Sequence, residues 1–430
     1  MPRLPDPRFA PDCALLVDGR AVPARHGESL AVALVAAGRP LLSRSYKYHR
    51  PRGPYCLAGN CGSCLVRVDG VPNLRACETP CRDGMRVETQ NAWPSAAHDA
   101  LGAIDWLAPG GLDVHHMLTR PALVNRVMVG VSRRLAGLGR LPDSAGSEPP
   151  PATEERFDAL VLGAGPAGLG AAEALARGAR RLLLVERAER LGGRLRARLD
   201  LPGDPDLSWA EEVASAVERA GGEVARSTAL AGLFTDGGTP ACLLLARGAP
   251  ERARLVRAAH IVVCTGGVSS PPAFESGDLP GVFAGRALAV ALTEHGVLAG
   301  RRAAVVGEGP EAEALADRLR GAGMAVESAR GEVARALGRL RVRGLLLRGG
   351  ERLECDSVAE ARPPVPAAEA LRALGVPVRW DEAAGAFLPE VDPSGRTAVP
   401  GLFAAGEVAR AATGAEAADG GRRAGEAALG

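Results

Sequence analysis

Lysine is nearly missing from this sequence: Lys47 is the only one, and arginine carries the rest of the positive charge. Aromatic residues make up 3% of the chain, so its cores have to be built from Leu, Val and Ala. The net charge of +2 lacks the basic excess that marks a nucleic-acid-binding surface. No apolar run reaches 18 residues, so no membrane span is predicted. The opening MPRLPDPRFAPD has no apolar h-region, and a cytoplasmic protein is expected in place of a secreted one. Paired carboxylates and a Ser/His/Asp set are also missing, and His49, His115 and His116 fall outside the nucleotide-binding elements described below. No catalytic residue is therefore assigned to the chain.

Its 430 residues, 47% of them apolar, suffice for two to four packed domains. The densest chemistry lies between Ser43 and Cys81. All three tyrosines, Tyr46, Tyr48 and Tyr55, are there. Cys56, Cys61 and Cys64 follow a C-x4-C-x2-C pattern, and Cys77 lies beyond a short hairpin-like run. That is the plant-type spacing for a [2Fe–2S] cluster. Gly59 and Gly62 permit the tight loop and the close approach of N–H groups to sulfur. Arg50, Arg52 and Arg75 would offset the cluster's negative charge. Cys77 is preferred as fourth ligand because it directly follows the return strand, with Cys81 as its competitor. Zinc is disfavoured, since there is no second C-x2-C and no His pair. Nine cysteines, four of them in cluster spacing, fit a reducing compartment better than a disulfide framework.

Two short apolar runs flank Asp18-Gly19, a hairpin signal, and Glu28-Ser29 opens a helix that Gly38 closes. A second hairpin turns at Asp69-Gly70. Strand, turn, strand, helix, cysteine loop is the order of a β-grasp ferredoxin domain. Leu123, Val124, Val127, Met128, Val131, Leu135 and Leu138 recur at helical spacing in a connector, read as packing on its own domains. The Pro/Ser-rich Ser144–Glu155 marks a boundary.

From Phe157 a strand enters Gly163-x-Gly165-Pro166-Ala167-Gly168, then a helix, then a strand ending at Glu186-Arg187. Within a β-turn-helix-β unit this is a dinucleotide fingerprint: Gly163 makes the turn, Gly165 admits the pyrophosphate, Gly168 allows close helix packing, and Glu186 accepts from the ribose. Gly193-Arg194, Thr265-Gly266 and Gly406-Glu407 resemble segments of flavoproteins, and that resemblance implies that they complete a candidate FAD site, with NAD as the other dinucleotide the motif admits. Cys264 reads as a core strand residue. A second unit, Gly307-x-Gly309-x-x-Ala312, carries Glu308 where a pyrophosphate would lie, and Pro310 removes an N–H donor, so weak or no NAD(P)H binding is expected there.

SYKYHRPRG (Ser45–Gly53) and QNAWPS (Gln90–Ser95) resemble the N-terminal region of the alpha subunit of heterotetrameric sarcosine oxidase. The cysteine loop is instead similar to the small ferredoxin-like subunits of hydrogen cyanide synthase and of opine and hydroxyproline dehydrogenases. The resemblance runs from about Asp12 to the last residue and stops short of the long folate-binding region of the sarcosine oxidase alpha subunit. Gly192-Gly193-Arg194 resembles the flavoprotein turn that approaches the FAD phosphates. The 399–407 segment resembles the strand whose terminal acid, usually Asp and here Glu407, meets the ribityl chain. In sarcosine oxidase the site matching Gly163–Gly168 holds NAD.

The expected fold class is α/β multidomain, an N-terminal β-grasp [2Fe–2S] domain (1–98) followed by a two-dinucleotide-binding-domain, Rossmann-like flavoprotein. A helical connector (99–152), an FAD-binding domain (153–290 and 385–430) and a second Rossmann-like domain (291–384) are expected. The resemblance implies an electron-transfer subunit of a multi-subunit amine or amino-acid dehydrogenase or oxidase. Substrate would be oxidised on a separate amine-oxidase-like FAD subunit, with further small subunits in the complex. The alternative is a self-sufficient NAD(P)H-dependent iron–sulfur flavoprotein reductase. The run Tyr46–Arg52 serves either to tune the cluster and dock a partner or to brace the ferredoxin-like and flavin domains.

Overall fold

A computed structural model describes residues 3–45, 48–103, 121–135, 151–236, 239–247, 252–382, 384–409 and 413–430. Tyr46, Lys47, His115, His116 and most of the Pro/Ser-rich linker fall outside them. The chain divides into two units: Met1–Asp143 with Pro271–Arg362, and Ser144–Ser270 with Pro363–Gly430. Among the described residues no helix is long and apolar enough to cross a membrane.

The first unit begins with a five-stranded sheet, in the order Arg20–Ala24, Cys13–Val17, Arg86–Glu88, Leu65–Val68, Val71–Arg75. Both hairpins turn where the sequence places them. Asp18 and Gly19 have φ of 46° and 76°, and Asp69 and Gly70 of 49° and 85°. Two consecutive positive φ angles match the right-handed twist of the flanking strands. Ser29 caps the Leu30–Ala36 helix through its hydroxyl, which accepts from the Val32 N–H, and every residue from Leu30 to Val35 is buried. That helix and the sheet enclose Leu15, Leu34, Leu42, Val66 and Met85.

The same unit holds a four-stranded parallel sheet, in the order Val282–Ala284, Ser357–Glu360, Arg302–Val306, Ala325–Ala329, and a three-stranded antiparallel sheet of Val333–Gly338, Val342–Leu347 and Arg352–Glu354. Tyr55 and Cys56 join the core that these sheets share with Leu279, Val282 and Ala284. The Ala284 N–H donates to the Tyr55 carbonyl, 3.1 Å. The Ala122–Leu135 helix forms as its spacing predicts. Its expected packing does not follow: Leu123 and Val127 are 71% and 57% exposed. Helical periodicity specifies an apolar stripe but not what covers it.

The second unit is built on a seven-stranded sheet. Its parallel centre runs Glu223–Ala225, Leu182–Val185, Thr153–Leu162, Arg252–Val263, Leu402–Ala404. The Pro166–Leu175 helix crosses the Gly414–Leu429 helix at backbone contact, because small residues face each other there. A Cβ on Gly421 would stand 1.9 Å from the Ala167 carbonyl oxygen, and one on Gly170 2.2 Å from that of Ala418. Gly421→Ala should therefore cost about 1–3 kcal/mol in a urea melt. Gly420→Ala, whose nearest neighbour is the Arg423 guanidinium at 3.7 Å, should be neutral or stabilising by up to about 1 kcal/mol. Equal effects of the two would contradict the close crossing.

Candidate cluster loop and dinucleotide sites

The cysteine loop is shaped by left-handed backbone at Leu57 (φ 46°), Gly59 (74°) and Gly62 (65°). At Gly59 a Cβ would also meet the Glu78 carboxylate at 2.4 Å. The turns bring four sulfurs together. The Gly59 N–H donates to the Cys77 sulfur at 3.3 Å, and the Ala58 N–H to that of Cys56 at 3.4 Å. The thiols are close enough to perturb one another: Cys56 acts on Cys61, and both Cys64 and Cys56 act on Cys77. Cys56 and then burial push the Cys61 thiol up. Cys64 is pulled down by Cys77. Cys77 is lowered by Cys56 but raised more by Cys64 and burial, reaching about 12.

No group of three or more His, Cys, Asp or Glu among the described residues is gathered as a single-ion site. The four neighbouring thiols of Cys56, Cys61, Cys64 and Cys77 fit a different task. A two-iron cluster takes two protein sulfurs on each iron, and thiols crowded in a low-dielectric pocket lose their protons readily only to a metal. Cys81 is placed elsewhere. It is 1% exposed in the sheet–helix core, and burial, then Glu28 and Cys13, push its thiol up to about 12.

The arginines divide. Arg75 pairs with Glu78 and lies within electrostatic reach of Cys77 and Cys64. Arg50 and Arg52 do not serve as the expected free cations; both are held by Asp278, at 2.7 and 3.0 Å, in the same unit. His49 Nδ1 lies 2.6 Å from Asp99, whose other oxygen accepts from the Trp93 and Leu101 N–H groups. Within the described part of the Tyr46–Arg52 run, His49, Arg50 and Arg52 thus make bracing contacts, and Asp278 belongs to the cluster loop's own unit.

In the second unit the fingerprint glycines meet specific obstacles. Gly163 has φ 104°, and its Cβ would stand 2.4 Å from the Cys264 carbonyl oxygen; that of Gly168 would stand 1.7 Å from the Gly163 oxygen. Gly165 caps the helix in extended conformation, with Pro166 at the first position and Ala167 buried behind it. Gly193 (φ 52°) packs against Gly165, where a Cβ would be 2.8 Å from its Cα. The Glu186 carboxylate closes the turn, accepting from the Ala164 N–H at 2.8 Å and the Ala188 N–H at 2.9 Å, beside exposed Arg187. The Thr265 hydroxyl donates to the Ala367 carbonyl at 3.0 Å, and Gly266 has φ 71°.

Glu407 has a partner that sequence reasoning did not find. It sits next to Gly406 (φ 82°), and one oxygen accepts from the Arg194 guanidinium at 2.9 Å, both side chains being 9% exposed. Its other oxygen lies against Gly266, 3.8 Å from where a Cβ would stand. The glycine turn and the terminal acid are therefore fastened together, beside the Thr-Gly turn. These residues fit a dinucleotide: backbone approaches closely at Gly165, an acid follows the second strand, and a buried ion pair ties Gly193-Arg194 to Gly406-Glu407.

The second nucleotide-like unit differs at the corresponding place. In the first, Leu162 pairs with Val185, and Gly163 and Glu186 come next. In the second, Val306 pairs with Ala329, and Gly307 and Arg330 come next. Arg330 thus occupies the position of Glu186, with opposite charge. Glu308 is exposed, and Glu311 is engaged with Arg286 at 2.6 Å. Glu360 ends the adjacent strand with its side chain 3% exposed. Arg362 holds one of its oxygens, the other has no hydrogen-bond partner among the described residues, and burial raises its pKa.

Breaking the buried Arg194–Glu407 pair from one side should be costly. Glu407→Gln is expected to lower stability by about 3 kcal/mol in a urea melt, and Arg194→Met/Glu407→Met to recover part of that loss. A single variant as stable as the parent would contradict a buried pair.

Residues 12–92 match the family model of a 2Fe-2S iron-sulfur cluster binding domain, and residues 161–211 that of an NAD(P)-binding Rossmann-like domain. The sarcosine oxidase alpha subunit of Rhizobium meliloti (strain 1021) is 31% identical over 333 residues, covering 72% of this chain and 33% of that one. The chain thus spans about a third of the length of that relative. The hydrogen cyanide synthase subunit HcnA of Pseudomonas aeruginosa is 40% identical over 80 residues, 19% of this chain and 76% of that one. The crystal structure of L-proline dehydrogenase from P.horikoshii superposes with a TM-score of 0.76 at 22% identity, covering 99% of this chain and 74% of that chain, which establishes a shared fold. Together these findings support an oxidoreductase chain with sites for a [2Fe–2S] cluster and FAD. Through its N-terminal 2Fe–2S domain the chain belongs to the family of HcnA subunits, and over 72% of its length it is similar to a sarcosine oxidase alpha subunit.

Proposed function

We propose that this chain is the alpha-type electron-transfer subunit of a multi-subunit FAD-dependent amine or amino-acid dehydrogenase or oxidase, and that it passes electrons between FAD and a [2Fe–2S] cluster. The observation that carries the reading is the coexistence, in one chain, of four neighbouring cysteine thiols and a glycine-rich dinucleotide turn. Cys56 and Cys61 would hold one iron, and Cys64 and Cys77 the other. Gly163, Gly165, Gly168, Glu186, Gly193, Arg194, Thr265, Gly266, Gly406 and Glu407 would hold FAD. When bound, the two cofactors supply the conversion between paired and single electrons, while the chain supplies binding, orientation and electrostatics. Relatives named as subunits of sarcosine oxidase, opine oxidase and hydrogen cyanide synthase support a heteromeric assembly. An amine-oxidase-like FAD subunit would carry the substrate site, with further small subunits, in the cytoplasm.

The test is electron paramagnetic resonance of the dithionite-reduced protein. The parent and Cys81→Ser should give the signal of a reduced [2Fe–2S] cluster, and Cys77→Ser should lose or shift it. A signal that survives unchanged in Cys77→Ser and vanishes in Cys81→Ser would contradict the ligand set.

Arg330 favours a second reading, the self-sufficient NAD(P)H-dependent reductase, because an arginine at this place in a Rossmann unit accommodates a 2′-phosphate. Glu308 opposes it. Stopped-flow mixing decides: rapid flavin bleaching by NADPH but not NADH would support the reductase, and no bleaching by either would support the subunit of a larger complex.

A further inference from the structure

A cavity of about 580 Å³ lies within the first unit, away from the cysteines. Its floor is the open end of the five-stranded sheet and its helix: Val17, Leu34, Leu42 and Val66, all at most 3% exposed. Its size is that of a small-molecule site, and an apolar lining with a few polar groups is what such sites share.

The charges around it are one-sided. Arg39, Arg339, Arg341 and Arg343 line the cavity, and Asp18 is the only acid that does. Asp18 is committed to Thr89, accepting from its N–H at 2.9 Å and from its hydroxyl at 3.3 Å. Arg39 donates to the Val17 carbonyl. Arg339, Arg341 and Arg343 meet no carboxylate among the described residues. A fifth cation stands close by. Arg44, bonded to the Ala96 and His49 carbonyls, is lowered in pKa by burial and by the repulsion of Arg339, against the pull of Asp99. Like charges crowded at an apolar opening favour an anion that places its charged head among them, and a guanidinium fork suits a carboxylate.

We propose that this cavity is a binding site for an organic carboxylate with an apolar body, its hydrocarbon part on the half-buried Pro40, Leu41 and Leu340 and its carboxylate among Arg339, Arg341 and Arg343. The claim does not depend on the cluster or on the dinucleotide. Its charge selection separates it from a merely greasy hole, which would take a neutral or cationic chain equally well.

Isothermal titration of the full chain with octanoate, octylamine and 1-octanol tests it. Octanoate is expected to bind saturably, with affinity at least ~10-fold above the amine and the alcohol, and Arg339→Ala/Arg341→Ala should remove that preference. Both substitutions lie on a hairpin turn outside the core, so the variant's melting curve should match the parent's. Ala97→Trp, at an exposed position of the lining, should weaken octanoate binding without altering the cluster spectrum. No saturable binding of octanoate, equal binding of octylamine, or undiminished octanoate binding in the double arginine variant would each overturn the proposal.

Discussion

Burial and thiolate neighbours oppose the ionisation of several thiols at once, and a cation among them is what makes it favourable. The Cys56–Cys77 loop lives under that constraint. Left-handed turns at Leu57, Gly59 and Gly62 fold it tightly enough for Cys56 to meet Cys61 and for Cys64 to meet Cys77. Two backbone N–H groups then point at sulfur. A loop of this curvature has no apolar core of its own. It is anchored through Tyr55, whose carbonyl accepts from the end of a strand in the parallel sheet, and through Arg50 and Arg52 on Asp278. The ferredoxin-like part and the second Rossmann-like part consequently belong to one unit.

The two nucleotide-like units show how one fold yields different sites. Both place a glycine turn at the end of the first strand and a helix behind it. In the first, an acid follows the second strand and a buried Arg194–Glu407 pair ties the glycine turn to the terminal acid. In the second, Arg330 follows, while Glu308 and the engaged Glu311 put negative charge near the helix start. A sheet, a turn and a helix repeat, but the charge at four or five positions decides what each unit can hold.

Much of this was legible in the chain because it depends on local backbone chemistry. Asp18-Gly19 and Asp69-Gly70 announce hairpins since few residues accept positive φ twice in succession. The Gly163–Gly168 spacing announces a dinucleotide turn since a side chain at Gly163 or Gly168 would meet a carbonyl oxygen. The rest depends on distance along the chain. Arg194 and Glu407 are 213 positions apart, and nothing in either segment predicts that they meet. Arg330 acquires meaning only through the strand register. Spacing alone also fails to separate Cys77 from Cys81; what distinguishes them is that one faces the loop and the other the core. The Ala122–Leu135 stripe was readable as a helix but not as an exposed one, because periodicity carries no information about the partner.

Determination of iron and acid-labile sulfide in anaerobically prepared full-length protein bears most directly on the central claim. The account predicts about two irons and two sulfides per chain. Protein that is folded, retains its dinucleotide and contains neither iron nor sulfide would contradict it.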